Sequence, residues 1–206
     1  MTNTVSTTRT SSTHKIVVTA MLSAVAFALM FIEVPIPALI PSFVKMDISD
    51  LPELLGAFAL GPVYGGVICL MKNLLHILIK GTSSGGAGEL CNFLLGASFV
   101  IPAGLLYQYK KNRKMAFVGA LIGAAVMALF SLPLNYFVTY PMYVNVYGLP
   151  MEAILGMYNA ILPGTDSLLK ALVIFNLPFT FFKGMLDVAL TFLVYKPLSP
   201  VLHGRR

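Results

Sequence analysis

MAFVGALIGAAVMALFSLPLNYFVTY, residues 115–140, contains no Asp, Glu, Lys or Arg. A bilayer core needs roughly 20 apolar residues to be crossed as helix, and this run exceeds that length. Comparable blocks lie outward on both sides, at roughly 15–34, 62–80, 89–109 and 168–195, with a shorter one at 51–60. The whole 206-residue chain is 57% hydrophobic and only 11% charged, with a mean hydropathy of +0.83. A soluble domain carries about 25% charged residues, so this chain lacks the charge to coat a water-facing surface. The expected fold is an all-α integral membrane protein, a bundle of six transmembrane helices.

Residues 1–14 are rich in Thr and Ser and nearly free of apolar side chains. They lack the charged-then-apolar order of a signal peptide and read as a disordered tail ahead of a single membrane domain, 15–206. Cys69 and Cys91 both fall in apolar segments and imply packing rather than a disulfide framework.

The net charge of +6 is distributed as a topology signal rather than a nucleic-acid patch. With the N-terminus inside, Arg9, Lys15, Lys110, Lys111, Arg113, Lys114, Lys196, Arg205 and Arg206 share one side, nine of the fourteen basic residues. Cytoplasmic loops carry the excess of Lys and Arg, so both termini are expected in the cytoplasm (N-in/C-in). The outer side then holds Glu33, Asp47, Asp50, Glu53, Glu89, Glu152 and Asp166. It also holds the Pro-rich segment VPIPALIPSFVKMDISDLPELLG, residues 34–56. Phe43, Val44 and Met46 in that segment suit a loop folded down as a lid, because irregular backbone at membrane depth must be buried or line a cavity. Asp50 reads as the N-cap of the helix that follows, with Pro52 and Glu53 in its first turn.

Polar residues inside membrane segments are functional candidates by default. Asn92, Asn135, Thr180 and Lys183 all fall in the outer half of their helices, and Thr180 shares a face with Lys183. Phe43, Tyr136, Tyr140, Phe179 and Phe182 supply aromatic surface nearby. Such a combination suits a flat heteroaromatic ligand with amide-like edges. Plainer readings stand beside this one. Asn135 equally fits a hydrogen bond to a neighbouring helix, Lys183 and Asp187 are spaced for an ion pair, and Lys72 fits a structural pairing with Asp47 or Asp50. Ala20, Ala24 and Ala28 form a small-residue stripe that permits close helix approach, within the bundle or to another membrane protein.

Taken together, MDISDLPELLGAFALGP (46–62), KNLLHIL (72–78), CNFLLGASF (91–99), LNYFVTYPMY (134–143) and NLPFTFFKG (176–184) resemble the riboflavin-specific S components of energy-coupling factor (ECF) transporters. The resemblance spans roughly residues 15–200. It implies a multi-pass protein of the bacterial plasma membrane that binds riboflavin, with FMN as an alternative, under its first outer loop. It further implies a complex with a transmembrane coupling protein and two ATPases, and no catalytic cofactor. Site residues carried over are Asn135, Lys183 and Thr180, where some relatives have Asn at the last position, followed by the loop contacts Phe43, Val44, Met46 and Asp47. Asn92 and Phe179 complete the expected ligand set, and the alanine stripe becomes the face for the coupling protein.

No phosphate-binding GxxxxGK[ST] motif is present, so any energy source must lie in another chain. An S component for thiamine or biotin and a self-sufficient carrier remain alternatives on pocket chemistry alone. An intramembrane enzyme fits less well. Gly96-Ala97-Ser98 supplies a serine, but the only later histidine is His203 in the inner tail, and no HExxH pair occurs.

Overall fold

The computed structural model describes residues 12–82, 85–146 and 148–203. Most of the expected polar tail, residues 1–11, and the basic residues Arg9, Arg205 and Arg206 lie outside them. Ser12 to His14, assigned to that tail from sequence, instead open the first helix.

Helix α1 runs Ser12–Leu29, α2 Leu51–Ala59, α3 Pro62–Lys80, α4 Ala87–Tyr109 and α5 Arg113–Leu134. After α5 the helical run continues as a π-turn, Asn135–Thr139, and then α6, Tyr140–Asn145. Helix α7, Met151–Ile161, is separate. The final run comprises α8, Leu168–Ala171, a second π-turn, Leu172–Asn176, and α9, Leu177–His203. Among the described residues, five helical runs are long and apolar enough to cross a membrane. The sixth expected crossing, α2, has nine residues. That is about 13 Å of helix, so α2 packs inside the bundle rather than spanning by itself. Between α1 and α2 the chain makes a two-residue antiparallel ladder absent from the sequence reading, with Val34 opposite Met46 and Pro35 opposite Lys45.

A proline follows the residue that closes each π-turn. Pro141 has no N–H for the Phe137 carbonyl, and Pro178 has none for that of Ile174. In each case the ladder slips by one residue just upstream, so that Tyr140 N–H reaches the Asn135 carbonyl and Leu177 N–H reaches that of Leu172. One residue is thereby inserted into each run, which rotates everything beyond it relative to an uninterrupted helix.

Small residues set the helix spacing. A Cβ on Gly119 of α5 would lie 2.8 Å from the Ala103 carbonyl oxygen on α4, and one on Gly65 of α3 would lie 2.7 Å from the Ala57 Cβ on α2. Such close approach replaces the hydrophobic drive that lipid does not provide. Gly61 takes φ 118°, a turn that lets α3 fold directly back from α2.

Two apolar clusters fill the body of the bundle. One centres on Leu54, Phe99, Ala103, Ala120, Ala124 and Met127, the other on Val18, Leu22, Ala26, Leu55 and Ile68. A third, at the end bearing the loop, joins Ile40, Tyr140, Ile154, Tyr158, Ala171 and Leu172. Ile40 is completely buried there, so the loop before α2 is pinned to α6 and α7.

Candidate functional site

A cavity of about 280 Å³ opens at this third cluster. Its walls are α4, the run from α5 to α6, α9 and the loop between the two strands. Of the nine residues expected to meet a ligand, eight line it: Phe43, Val44, Asp47, Asn92, Asn135, Phe179, Thr180 and Lys183. Met46 does not. It sits in the short ladder opposite Val34, outside the cavity lining. Of the nearby aromatics, Tyr140 also lines the cavity. Tyr136 and Phe182 do not, being 41% and 67% exposed on the outside of the bundle.

The base of the site is an ionic network that sequence spacing did not foresee in full. Lys183 pairs with Asp50 and lies 3.7 Å from Asp47. Asp50 also accepts from Lys72 at 2.7 Å, and Lys72 reaches Ser49 Oγ at 2.7 Å and Glu53 at 2.6 Å. Asp47 in turn accepts from the Ser49 backbone N–H at 2.8 Å, holding the loop in register. Asp50 stands at the N-cap position of α2, but its side chain makes no capping bond, because both lysines claim it. Lys72 thus pairs with Asp50, as the sequence suggested. Lys183 instead turns to the loop and away from Asp187, whose carboxylate is fully buried and makes no hydrogen bond among the described residues. Within the Lys183–Asp50–Lys72–Glu53 network each buried charge is met by an opposite one, which makes burying them at this density tolerable.

Above the network the cavity has a second polar group, missed by the sequence reading. Asn176 Oδ1 accepts from Tyr158 Oη at 2.7 Å, and its Nδ2 donates to Tyr140 Oη at 3.3 Å. The two tyrosine hydroxyls are themselves hydrogen-bonded. Burial, and then the neighbouring Tyr140, push the Tyr158 hydroxyl well above its usual range, so it stays neutral. Asn176 lies four residues before Thr180 and seven before Lys183, a spacing that would have placed it on the same face. It also ends the second π-turn and Asn135 begins the first, so both amides are aimed by the slipped registers. Phe43 meets Tyr140, Tyr143 and Tyr158 edge to face, with centroids 5.4–6.4 Å apart, which roofs the cavity with aromatic surface.

The cavity therefore offers two ammonium groups (Lys45 and Lys183), two carboxylates (Asp47 and Asp50), three primary amides (Asn92, Asn135, Asn176), the Thr180 and Thr139 hydroxyls and several aromatic faces. Such groups can donate and accept hydrogen bonds and stack on flat rings. Among the described residues no group of three or more His, Cys, Asp or Glu is placed to hold a metal ion.

The alanine stripe lies elsewhere. Ala20, Ala24 and Ala28 are exposed on α1, while Val18, Thr19, Leu22, Ser23 and Ala26 supply its buried face.

Comparison with known proteins agrees with this architecture. A family model described as "ECF transporter, substrate-specific component" matches residues 14–195. The riboflavin transporter RibU of Staphylococcus aureus (strain TCH60) is 35% identical over 189 residues, 91% of this chain and 92% of the relative. The riboflavin transporter FmnP of Bacillus subtilis (strain 168) is 32% identical over 194 residues, 93% of this chain and 95% of the relative. A solved structure of the S component of a bacterial ECF transporter superposes with a TM-score of 0.71 at 34% identity, covering 93% of this chain and 99% of that one.

Proposed function

The chain belongs to the substrate-specific components of ECF transporters, non-catalytic subunits of a membrane importer, and from that premise we propose that it captures riboflavin in the cavity beneath the Pro-rich loop. The observation that carries the reading is the convergence of Lys183, Thr180, Asn135, Asn92 and Asn176 with aromatic faces in one cavity. Riboflavin presents a flat tricyclic ring with an imide-like edge and a chain of hydroxyls. Lys183 and Thr180 serve the ring edge, whose carbonyls accept. Asn135 and Asn176, which both donate and accept, complement its alternating groups. Asn92, near the mouth, serves the hydroxyl chain. Both curated relatives described above are named riboflavin transporters, which favours this ligand over thiamine or biotin.

At about 280 Å³ the cavity sits at the small end for ligand sites. The loop bearing Phe43, Val44 and Asp47 accordingly acts as a lid that shifts outward to admit the ring and closes over it. Lys183 is already held by Asp50 and Asp47 on that loop segment, so a ligand carbonyl joining Lys183 is sensed by the lid directly. The concentration of Lys and Arg at the α4–α5 turn and in the C-terminal segment orients this lid outward, N-in/C-in, in the plasma membrane. A coupling protein docks on the exposed Ala20, Ala24, Ala28 stripe, and its ATPases supply the energy for release inward.

The test is fluorescence quenching of riboflavin by the protein purified in detergent, run alongside thiamine and biotin. Tight quenching by riboflavin alone, lost in Lys183→Ala and Asn135→Ala, supports the reading. Indifference to riboflavin with binding of another vitamin overturns the ligand and keeps the site.

A further inference from the structure

A second and larger cavity, about 620 Å³, lies at the opposite end of the bundle, among the last turns of α2, α4 and α9 and the start of α5. Its volume falls within the usual range for small-molecule sites. The floor is apolar and aromatic: Phe58 and Ala116 are buried, Phe58 stands 5.1 Å from Tyr107 between ring centroids, and Phe192 and Tyr195 close the α9 side. The rim is cationic. Lys111 and Arg113 flank the α4–α5 turn and Lys196 faces them from α9, while no Asp or Glu is among the lining residues.

Two further observations point to a ligand rather than to solvent. Thr191 lines this cavity, is fully buried, and its hydroxyl makes no hydrogen bond among the described residues. A buried hydroxyl left unmatched costs about 1–3 kcal/mol, and an incoming acceptor would relieve it. The first turn of α5, a 22-residue helix, opens onto the same rim; the Asn112 side chain accepts from its Met115 N–H at 2.8 Å, and no acidic side chain lies in that turn to offset its positive end.

We propose that this cavity binds a phosphate ester carried on an apolar or aromatic body. The phosphate sits at the rim between Lys111, Arg113 and Lys196, with the start of α5 behind it, since guanidinium and helix amides suit a phosphate and a carboxylate-free rim does not compete. The body enters between Tyr107 and Phe192, and Thr191 donates to or accepts from it at depth. The site is remote from the lid cavity and shares no lining residue with it. It therefore does not depend on which vitamin is carried.

Phosphate esters of this shape are either soluble, with a planar heterocycle as the body, or lipid headgroups. The full-length protein, purified in detergent, is titrated by native mass spectrometry with adenosine monophosphate, with dioctanoyl phosphatidylglycerol, and with dioctanoylglycerol, which lacks the phosphate. One bound equivalent of either phosphate ester is expected, weakened at least about tenfold in the triple variant Lys111→Gln/Arg113→Gln/Lys196→Gln, the loss of about one charge-assisted hydrogen bond. Riboflavin quenching should be unchanged. Binding of the monophosphate identifies a soluble ester, and binding of phosphatidylglycerol alone identifies a lipid. Where the triple variant is not monodisperse, Thr191→Val carries the test, with an expected weakening of about threefold. Binding of neither ester, equal binding of dioctanoylglycerol, or affinity untouched by the variants overturns the proposal.

Discussion

Lys72 and Lys183 share Asp50 but have different environments, and this separates their roles. Lys72 is fully buried and lines no part of the cavity beneath the Pro-rich loop, whereas Lys183 keeps 14% of its side chain exposed and lines that cavity. Lys72→Met leaves Glu53 buried without its cation. Breaking one partner out of such a network is worth about 3–5 kcal/mol. The expected outcome is a marked fall in the thermal midpoint in detergent, with riboflavin affinity largely kept in the fraction that remains folded. Lys183→Met should do the reverse, losing affinity by about tenfold or more with a smaller fall in midpoint, because Lys72 still holds Asp50. Equal effects of the two substitutions on both readouts would refute this division. Spacing alone suggested Asp187 as the partner of Lys183. That was misleading because an i,i+4 pair competes with any better-placed charge that the fold brings near, and Asp50 arrives from 133 residues away.

At the scale of the element, the π-turns decide where the site amides point. Phe137 lies in the first of them and is 73% exposed, so deleting it removes little packing. The deletion restores an unbroken α register and turns Asn135 by about 100° relative to α6. The predicted result is loss of riboflavin quenching with helix content by circular dichroism intact. Retained binding would show that the slipped register is not needed. Helix contacts give a second prediction. Gly119→Ala forces a methyl group against the Ala103 carbonyl at 2.8 Å and should destabilise by about 1–3 kcal/mol. Gly156→Ala on α7 meets nothing within 4 Å and should leave the thermal midpoint unchanged or slightly raised. Helices α3 and α4 were legible almost to the residue, since Gly61-Pro62 and the Gly/Ser loop punctuate them. Less visible were the short strand ladder and the π-turns, the latter depending on which carbonyl the Tyr140 and Leu177 N–H groups find just before the prolines at 141 and 178.

For the whole molecule, the exposed alanine stripe and the cavity beneath the Pro-rich loop are separate surfaces, so the proposed capture and assembly should be separable. Ala24→Trp on the outer face of α1 is expected to leave riboflavin titration unchanged while sharply reducing copurification of a coupling protein and vitamin uptake by cells. Unimpaired uptake would remove that face from the partner interface. The sequence by itself determined that this chain lives in a membrane, roughly where its helices begin and end, and that Asn92, Asn135, Thr180 and Lys183 are its candidate polar contacts. Those properties follow from local composition, because the preference of a segment for lipid and the penalty on each buried polar group are nearly additive along the chain. The tertiary structure alone decided that Asp50 bridges Lys72 and Lys183, that Asn176 joins the site on the Tyr140–Tyr158 pair, that Met46 leaves it, and that a basic cavity forms at the far end. Each of these rests on groups brought together from different helices, and only close packing through small residues fixes which partners they meet.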